Sequence, residues 1–113
     1  MLRVLAEGAS VLVSSVVLFE LWYGIARSRR REANVDRVTL FLSGDASLAP
    51  FDGEDAAIAG ELRAQLEAAG TPVGPYDLLI AAQALRMGAI LVTANVSEFS
   101  RIPGLAWEDW TAA

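Results

Sequence analysis

The sequence predicts an α/β protein with a mostly parallel sheet covered by helices on both faces. Short apolar, β-branched runs alternate with longer helical patterns. The clearest of these runs, Ala89-Ile90-Leu91-Val92-Thr93, is apolar on both of its faces, as a strand between two helix layers must be. Glycine or proline punctuates most of the junctions. In chain order, Val11 to Ser14 reads as a buried strand, and about Val16 to Arg29 as a helix with Ser14 or Ser15 as N-cap. A second helix runs from about Glu32 to Leu42, with Val35, Val38, Phe41 and Leu42 on one face and Gly44 ending it. Leu48-Ala49-Pro50-Phe51 reads as a brief strand whose proline suits an edge. Asp52 caps a helix to about Ala69 with Ile58, Leu62 and Leu66 in register, closed by Gly70. Pro75 opens the next helix and Gly88 stops it. After the strand at 89–93, Ala94 to Ser100 is a loop or a single turn, and Leu105-Ala106-Trp107 a last short strand. Met1 to Ala6 reads as the tail of a helix.

With 113 residues, 54% of them hydrophobic, the chain is expected to form one domain spanning 1–113 around a modest core. It has no cysteine, so neither disulfides nor thiolate metal sites are available, which fits a reducing, cytoplasmic setting. It also has no histidine, which removes Ser-His and Cys-His nucleophile systems and any imidazole base. Chemistry here has to run on carboxylates, amides, hydroxyls and arginine. The net charge of −5 argues against a protein that holds nucleic acid by its overall field. Met1 to Phe51 carries six arginines against five acids, and Asp52 to Ala113 three against nine. Arg27, Arg29, Arg30 and Arg31 form the one dense basic cluster, at a helix C-terminus where solvated cations also suit the macrodipole. The longest apolar run, Val11 to Phe19, is too short for the ~20 residues of a membrane span.

Two acids stand in apolar company. Glu20 lies within Val16-Val17-Leu18-Phe19-Glu20-Leu21-Trp22-Tyr23-Gly24, and Gly70-Thr71-Pro72-Val73-Gly74-Pro75-Tyr76-Asp77 delivers Asp77 onto the first turn of an apolar helix. Charges so placed call for a partner or a metal. Asn95 and Glu98 follow the strongest strand at once. In an open parallel sheet, ligands gather beyond the carboxyl ends of the strands, so all four side chains are able to converge on one edge. Hard cations such as Mg²⁺ take oxygen ligands of this kind and can activate a bound water for phosphodiester hydrolysis. Each residue also has a plainer reading: Asp77 as a dipole-compensating choice, Glu20 as a solvent-facing helix residue, Asn95 as a turn former, Glu98 as a surface acid, and Trp107 and Trp110 as packing.

The motifs around these acids, together with Leu91-Val92-Thr93-Ala94-Asn95-Val96-Ser97-Glu98-Phe99, Arg101-Ile102-Pro103-Gly104-Leu105 and Glu108-Asp109-Trp110, resemble in content and order those of the PIN-domain ribonuclease toxins of the VapC type. The likeness runs from about Ala9 to Trp110. It implies a PIN-like three-layer α/β/α fold and a metal-dependent endoribonuclease of a toxin–antitoxin module, cutting tRNA or ribosomal RNA. It further implies Mg²⁺, or Mn²⁺, as cofactor, a VapB-type antitoxin as partner and a homodimer. Carried over by position, Glu20, Asp77 and Asn95 are the implied catalytic residues, and Asp77, Glu20 and Glu98 the implied metal holders.

One departure stands out. Members of the family open with an apolar strand ending in an aspartate, then a helix, before the segment equivalent to Val11. That strand lies at the centre of the family's sheet. Here it is expected to be absent, which leaves two inner strand edges without backbone partners and removes a metal ligand. A folded remnant, exchange of elements with a second copy, and truncation are the readings left open. Two functions follow: a nuclease whose apparatus is impaired as written, or a non-catalytic fragment that binds the antitoxin. An unrelated small α/β domain ranks last.

Overall fold

Ten elements follow one another in the computed structural model, which describes residues 3–8, 10–44 and 46–109. They are β1 (Val4–Glu7), β2 (Ser10–Ser14), α1 (Ser15–Arg27), α2 (Arg31–Leu42), β3 (Ala46–Ala49), α3 (Gly53–Ala68), α4 (Pro75–Met87), β4 (Ile90–Val92), α5 (Val96–Phe99) and β5 (Trp107–Glu108). The strands form one sheet in the order β3-β2-β1-β4-β5. β2 runs parallel to β3 and β4 parallel to β5, while β1 is antiparallel to both of its neighbours. Four strands therefore share a direction and the central one is reversed. Helices complete the three-layer α/β/α arrangement, with α3 packed on α4 and α1 on α2.

The reversed strand corrects the reading of the N-terminus. Val4 to Glu7 is not the tail of a helix, and the centre of the sheet is not vacant. Leu5 faces Leu12 on one side and Leu91 on the other, so the inner edges of β2 and β4 both find backbone partners. The cause lies in a few residues. Val4-Leu5-Ala6 is apolar enough to be buried on both faces, and Val4 and Leu5 are buried in succession. Glu7 pairs with Ser10, leaving two residues to reverse the chain, and Gly8 takes φ +59°, a conformation a tight hairpin demands. A strand entering the central slot through such a hairpin can only be antiparallel to β2.

Elsewhere the elements follow their local signals. Ser14 is fully buried and accepts a hydrogen bond from the Val16 backbone N–H at 3.1 Å, capping α1. Ser14→Ala is expected to lower stability by about 1 kcal/mol in urea unfolding, because it leaves that N–H without its partner. Asp52 caps α3 in a reciprocal capping box with Asp55. Gly88 ends α4 in the left-handed conformation. β3 sits at the sheet edge but covers Ala46–Ala49, so Pro50 lies just outside it. β5 is shifted to Trp107–Glu108, and Trp107, expected to pack, is 37% exposed on this edge strand. Trp110 lies outside the described residues. Leu5, Val13 and Leu91 from the central strands, with Ile80 and Ala81 of α4 and Phe99 of α5, form the core. Among the described residues no helix is long and apolar enough to cross a membrane.

Candidate functional site

The carboxyl ends of β2 and β4 lie side by side across β1; the segments leaving them carry Glu20 and Glu98, and the start of α4 carries Asp77. α1 continues directly from β2 and brings Glu20 to this edge. Thr93, just past β4, accepts a hydrogen bond from the Asn95 backbone N–H at 2.9 Å and so sets the turn into α5, which carries Glu98. Pro75 at the start of α4 puts Asp77 in the first turn, where the helix dipole favours an acid.

These side chains meet. Asn95 Nδ2 donates to Asp77 Oδ2 at 3.1 Å and to Glu98 Oε2 at 3.4 Å. The Gly74 backbone N–H donates to Glu98 Oε1. A Cβ built on Gly74 would stand 3.2 Å from that same oxygen, so glycine is what lets the backbone approach the acid so closely. Glu20 joins through an arginine: Arg3 Nη1 lies 3.3 Å from Glu20 Oε1 and donates to Asp77 Oδ1. The four residues singled out in the sequence therefore do converge on one edge.

Arg3 and Gly74 are the residues that sequence reasoning missed. For Arg3 a signal existed: Glu7-Gly8-Ala9-Ser10 between two apolar runs reads as a hairpin, which makes Val4 to Glu7 a strand and puts Arg3 just before it. Because β1 is reversed, the residue preceding this strand, rather than one following it, arrives at the carboxyl ends of β2 and β4. The guanidinium stands at 5.9 Å over the Phe99 ring, and its side chain is 12% exposed.

The two central carboxyls are driven apart in acidity. Burial pushes the Asp77 carboxyl above its usual range; Arg3 opposes this, while Glu98 and Glu20 add to it. Glu98 moves the other way, held down first by the Gly74 N–H and also by Asn95, Asp77 and Arg101, against the cost of its burial. Of the two, Glu98 is thus the stronger acid and Asp77 the weaker. A carboxylate held below its ordinary 4.5 contributes stability above that pH and loses it as pH falls through the folded value. Glu98→Gln is accordingly expected to flatten the acid limb of a stability-versus-pH curve.

The donor set is of the hard-oxygen kind that suits a divalent cation, yet its arrangement does not fit one. Among the described residues no three carboxylates form a group able to hold an ion. The oxygens of Asp77 and Glu20 that face each other are both engaged by Arg3 Nη1. Glu20 also lies between two clefts. One, of about 400 Å³, includes Arg3, Asn34 and Arg37. The other, of about 410 Å³, is rimmed by Phe19, Tyr23 and Tyr76. Arg29, Arg30 and Arg31 are solvent-exposed, and Arg27 lies over the Tyr23 ring at 5.5 Å.

Comparison with known proteins places the chain in a family. A model of the PIN domain matches residues 2–105. The chain is 41% identical over 109 residues to ribonuclease VapC2 of Rickettsia felis, covering 96% of this chain and 81% of that protein. It is 44% identical over 98 residues to the tRNA(fMet)-specific endonuclease VapC of Salmonella typhimurium, covering 87% and 74%. Among solved structures, VapBC2 of R. felis bound to a promoter DNA fragment superimposes with a TM-score of 0.82 at 41% identity, covering 88% of this chain and 74% of that one. The DNA-bound VapBC of S. typhimurium gives the same TM-score at 43% identity and the same coverage. With most of its length matched in sequence and in fold, the chain belongs to the PIN-domain family, among relatives of the VapC ribonucleases.

Proposed function

We propose that this chain is an endoribonuclease of the VapC type, the toxin of a toxin–antitoxin pair. The observation that carries the reading is the meeting of Asp77, Glu98, Asn95 and Glu20 at the carboxyl edge of the sheet, with Asp77 and Glu98 pushed apart in acidity. Two carboxyls of unequal acidity, joined by an amide, suit proton transfer during phosphodiester hydrolysis. Asp77 is the candidate proton-handling group, and Glu98 the candidate carrier of negative charge. Asn95 orients both, and Glu20 supplies a further carboxylate at the rim. The aromatic cleft beside Glu20, where the Phe19 and Tyr76 rings lie 5.5 Å apart, gives unpaired bases a surface to stack on.

PIN-domain ribonucleases generally depend on a divalent metal. Mg²⁺ is the ion we assign to this family member, with Mn²⁺ as substitute; Asp77, Glu98 and Glu20 would hold it only after Arg3 withdraws and the three side chains draw closer than they stand here. tRNA is the first substrate class to test, since relatives are named for cutting tRNA(fMet), and ribosomal RNA the second. A VapB-type antitoxin, a homodimer, a cytoplasmic setting and a single domain over 1–113 belong to the same proposal. Incubation with tRNA and ribosomal RNA in millimolar Mg²⁺ should give discrete fragments, slowly with the wild-type chain, whose acids Arg3 engages, and faster with Arg3→Gln; cleavage that persists in excess EDTA would overturn it.

A second reading has its own support. The ion pairs of Arg3 with Asp77 and Glu20 leave the acid cluster partly neutralised, and Phe19, Trp22 and Tyr23 are exposed along α1. On this reading the chain binds a VapB-type antitoxin without cutting RNA. Capture of that antitoxin by a chain inactive on every RNA tested would favour it.

A further inference from the structure

We propose that Arg3 is a built-in counter-ion: its guanidinium stands where the acid cluster would otherwise draw a divalent cation, and it holds the site against such ions. The proposal goes beyond the ribonuclease reading, since it concerns what neutralises the carboxylates and holds whichever RNA, if any, is cut.

Three observations support it. A single nitrogen, Nη1, serves both Asp77 and Glu20, which is the bridging position a cation between two carboxylates would take. The side chain is no surface arginine, for it is largely buried and lies over Phe99, itself fully buried. Its Nε is buried without a hydrogen-bond partner among the described residues, so the guanidinium is drawn in by charge although the pocket does not satisfy all of its donors. The fold fixes this placement. Leu5 is locked between Leu12 and Leu91, so Arg3 two residues earlier has little freedom to leave while β1 stays paired. A second cation would have to enter beside a fixed positive charge and compete for the same oxygens.

The test is metal binding, read without RNA. Mn²⁺ binding to the full 113-residue chain, followed by electron paramagnetic resonance, is compared with that of Arg3→Gln, with folding checked by circular dichroism. The expected result is weak binding by the wild-type chain and binding tighter by on the order of tenfold or more in Arg3→Gln. Equal affinity in the two, or micromolar affinity in the wild type, would overturn the proposal. Should Arg3→Gln fail to fold, the wild-type chain still decides. The ¹⁵Nε resonance of Arg3 should stay in place through a millimolar Mg²⁺ titration, and a saturable displacement at lower concentrations would show that the ion evicts the arginine. Both readouts are independent of nuclease activity, so a chain that cuts no RNA leaves this inference standing.

Discussion

Replacing Leu5 with alanine is expected to destabilise the protein by about 2–5 kcal/mol in urea or thermal unfolding. Leu5 is fully buried at the middle of the central strand and joins the core shared by Val13, Leu91 and Ile80. Truncating it opens a cavity between two strands that β1 alone links, and such a cavity collapses poorly because backbone pairing on both sides holds the walls apart. Total stability of a small domain is about 5–15 kcal/mol, so the variant would sit near the threshold of folding. A loss within the ~0.5 kcal/mol of an ordinary surface change would mean that Val4 to Glu7 does not fill the centre of the sheet.

Asp77→Asn is expected to reduce RNA cleavage on the order of 10²–10⁴-fold, the range for removing a positioned acid–base group. The substitution keeps the shape of the side chain and its contact with Asn95 within reach, but takes away the titratable carboxyl and with it the charge that meets Arg3. Arg3 retains Glu20 at 3.3 Å, so the variant should fold, which circular dichroism checks before any rate is compared. Where the wild-type chain cuts too slowly to measure, the comparison moves to an Arg3→Gln background, in which the acids are free of their internal partner. Unchanged cleavage in a folded Asp77→Asn protein would remove Asp77 from the chemistry and leave the acid cluster a structural feature.

Both results turn on residues that the sequence treats unequally. Asp77 was legible because Pro75 fixes where its helix begins, and a helix start sets the direction of its first-turn side chains. Glu20 was legible as a charge in an apolar run, and Asn95 and Glu98 by following a strand too apolar to mistake. In each case the signal lies within a few residues of the group it places. Arg3 had no such neighbourhood. Its role depends on which strands flank Val4 to Glu7, and β4 lies more than eighty residues away along the chain. Gly74 drew no notice within its motif, and only the carboxyl of Glu98 pressed against it explains why a side chain there would intrude. Trp107 was expected to pack, but it stands on a two-residue edge strand with a neighbour on one side alone and is 37% exposed.

The four long helices, the capping serine and aspartate of α1 and α3, the start and stop of α4, the edge position of the third strand, the family likeness and the four polar residues that meet at the carboxyl edge were all legible in the sequence, because each rests on local propensity, periodicity or a motif. Tertiary structure alone decided that the central slot is filled by a reversed strand and that an arginine faces the acids. Pairing direction is a long-range property: two inner edges with unpaired backbone groups will take whichever apolar segment reaches them, and the Gly8 hairpin delivers Val4 to Glu7 with its N-terminus at the site.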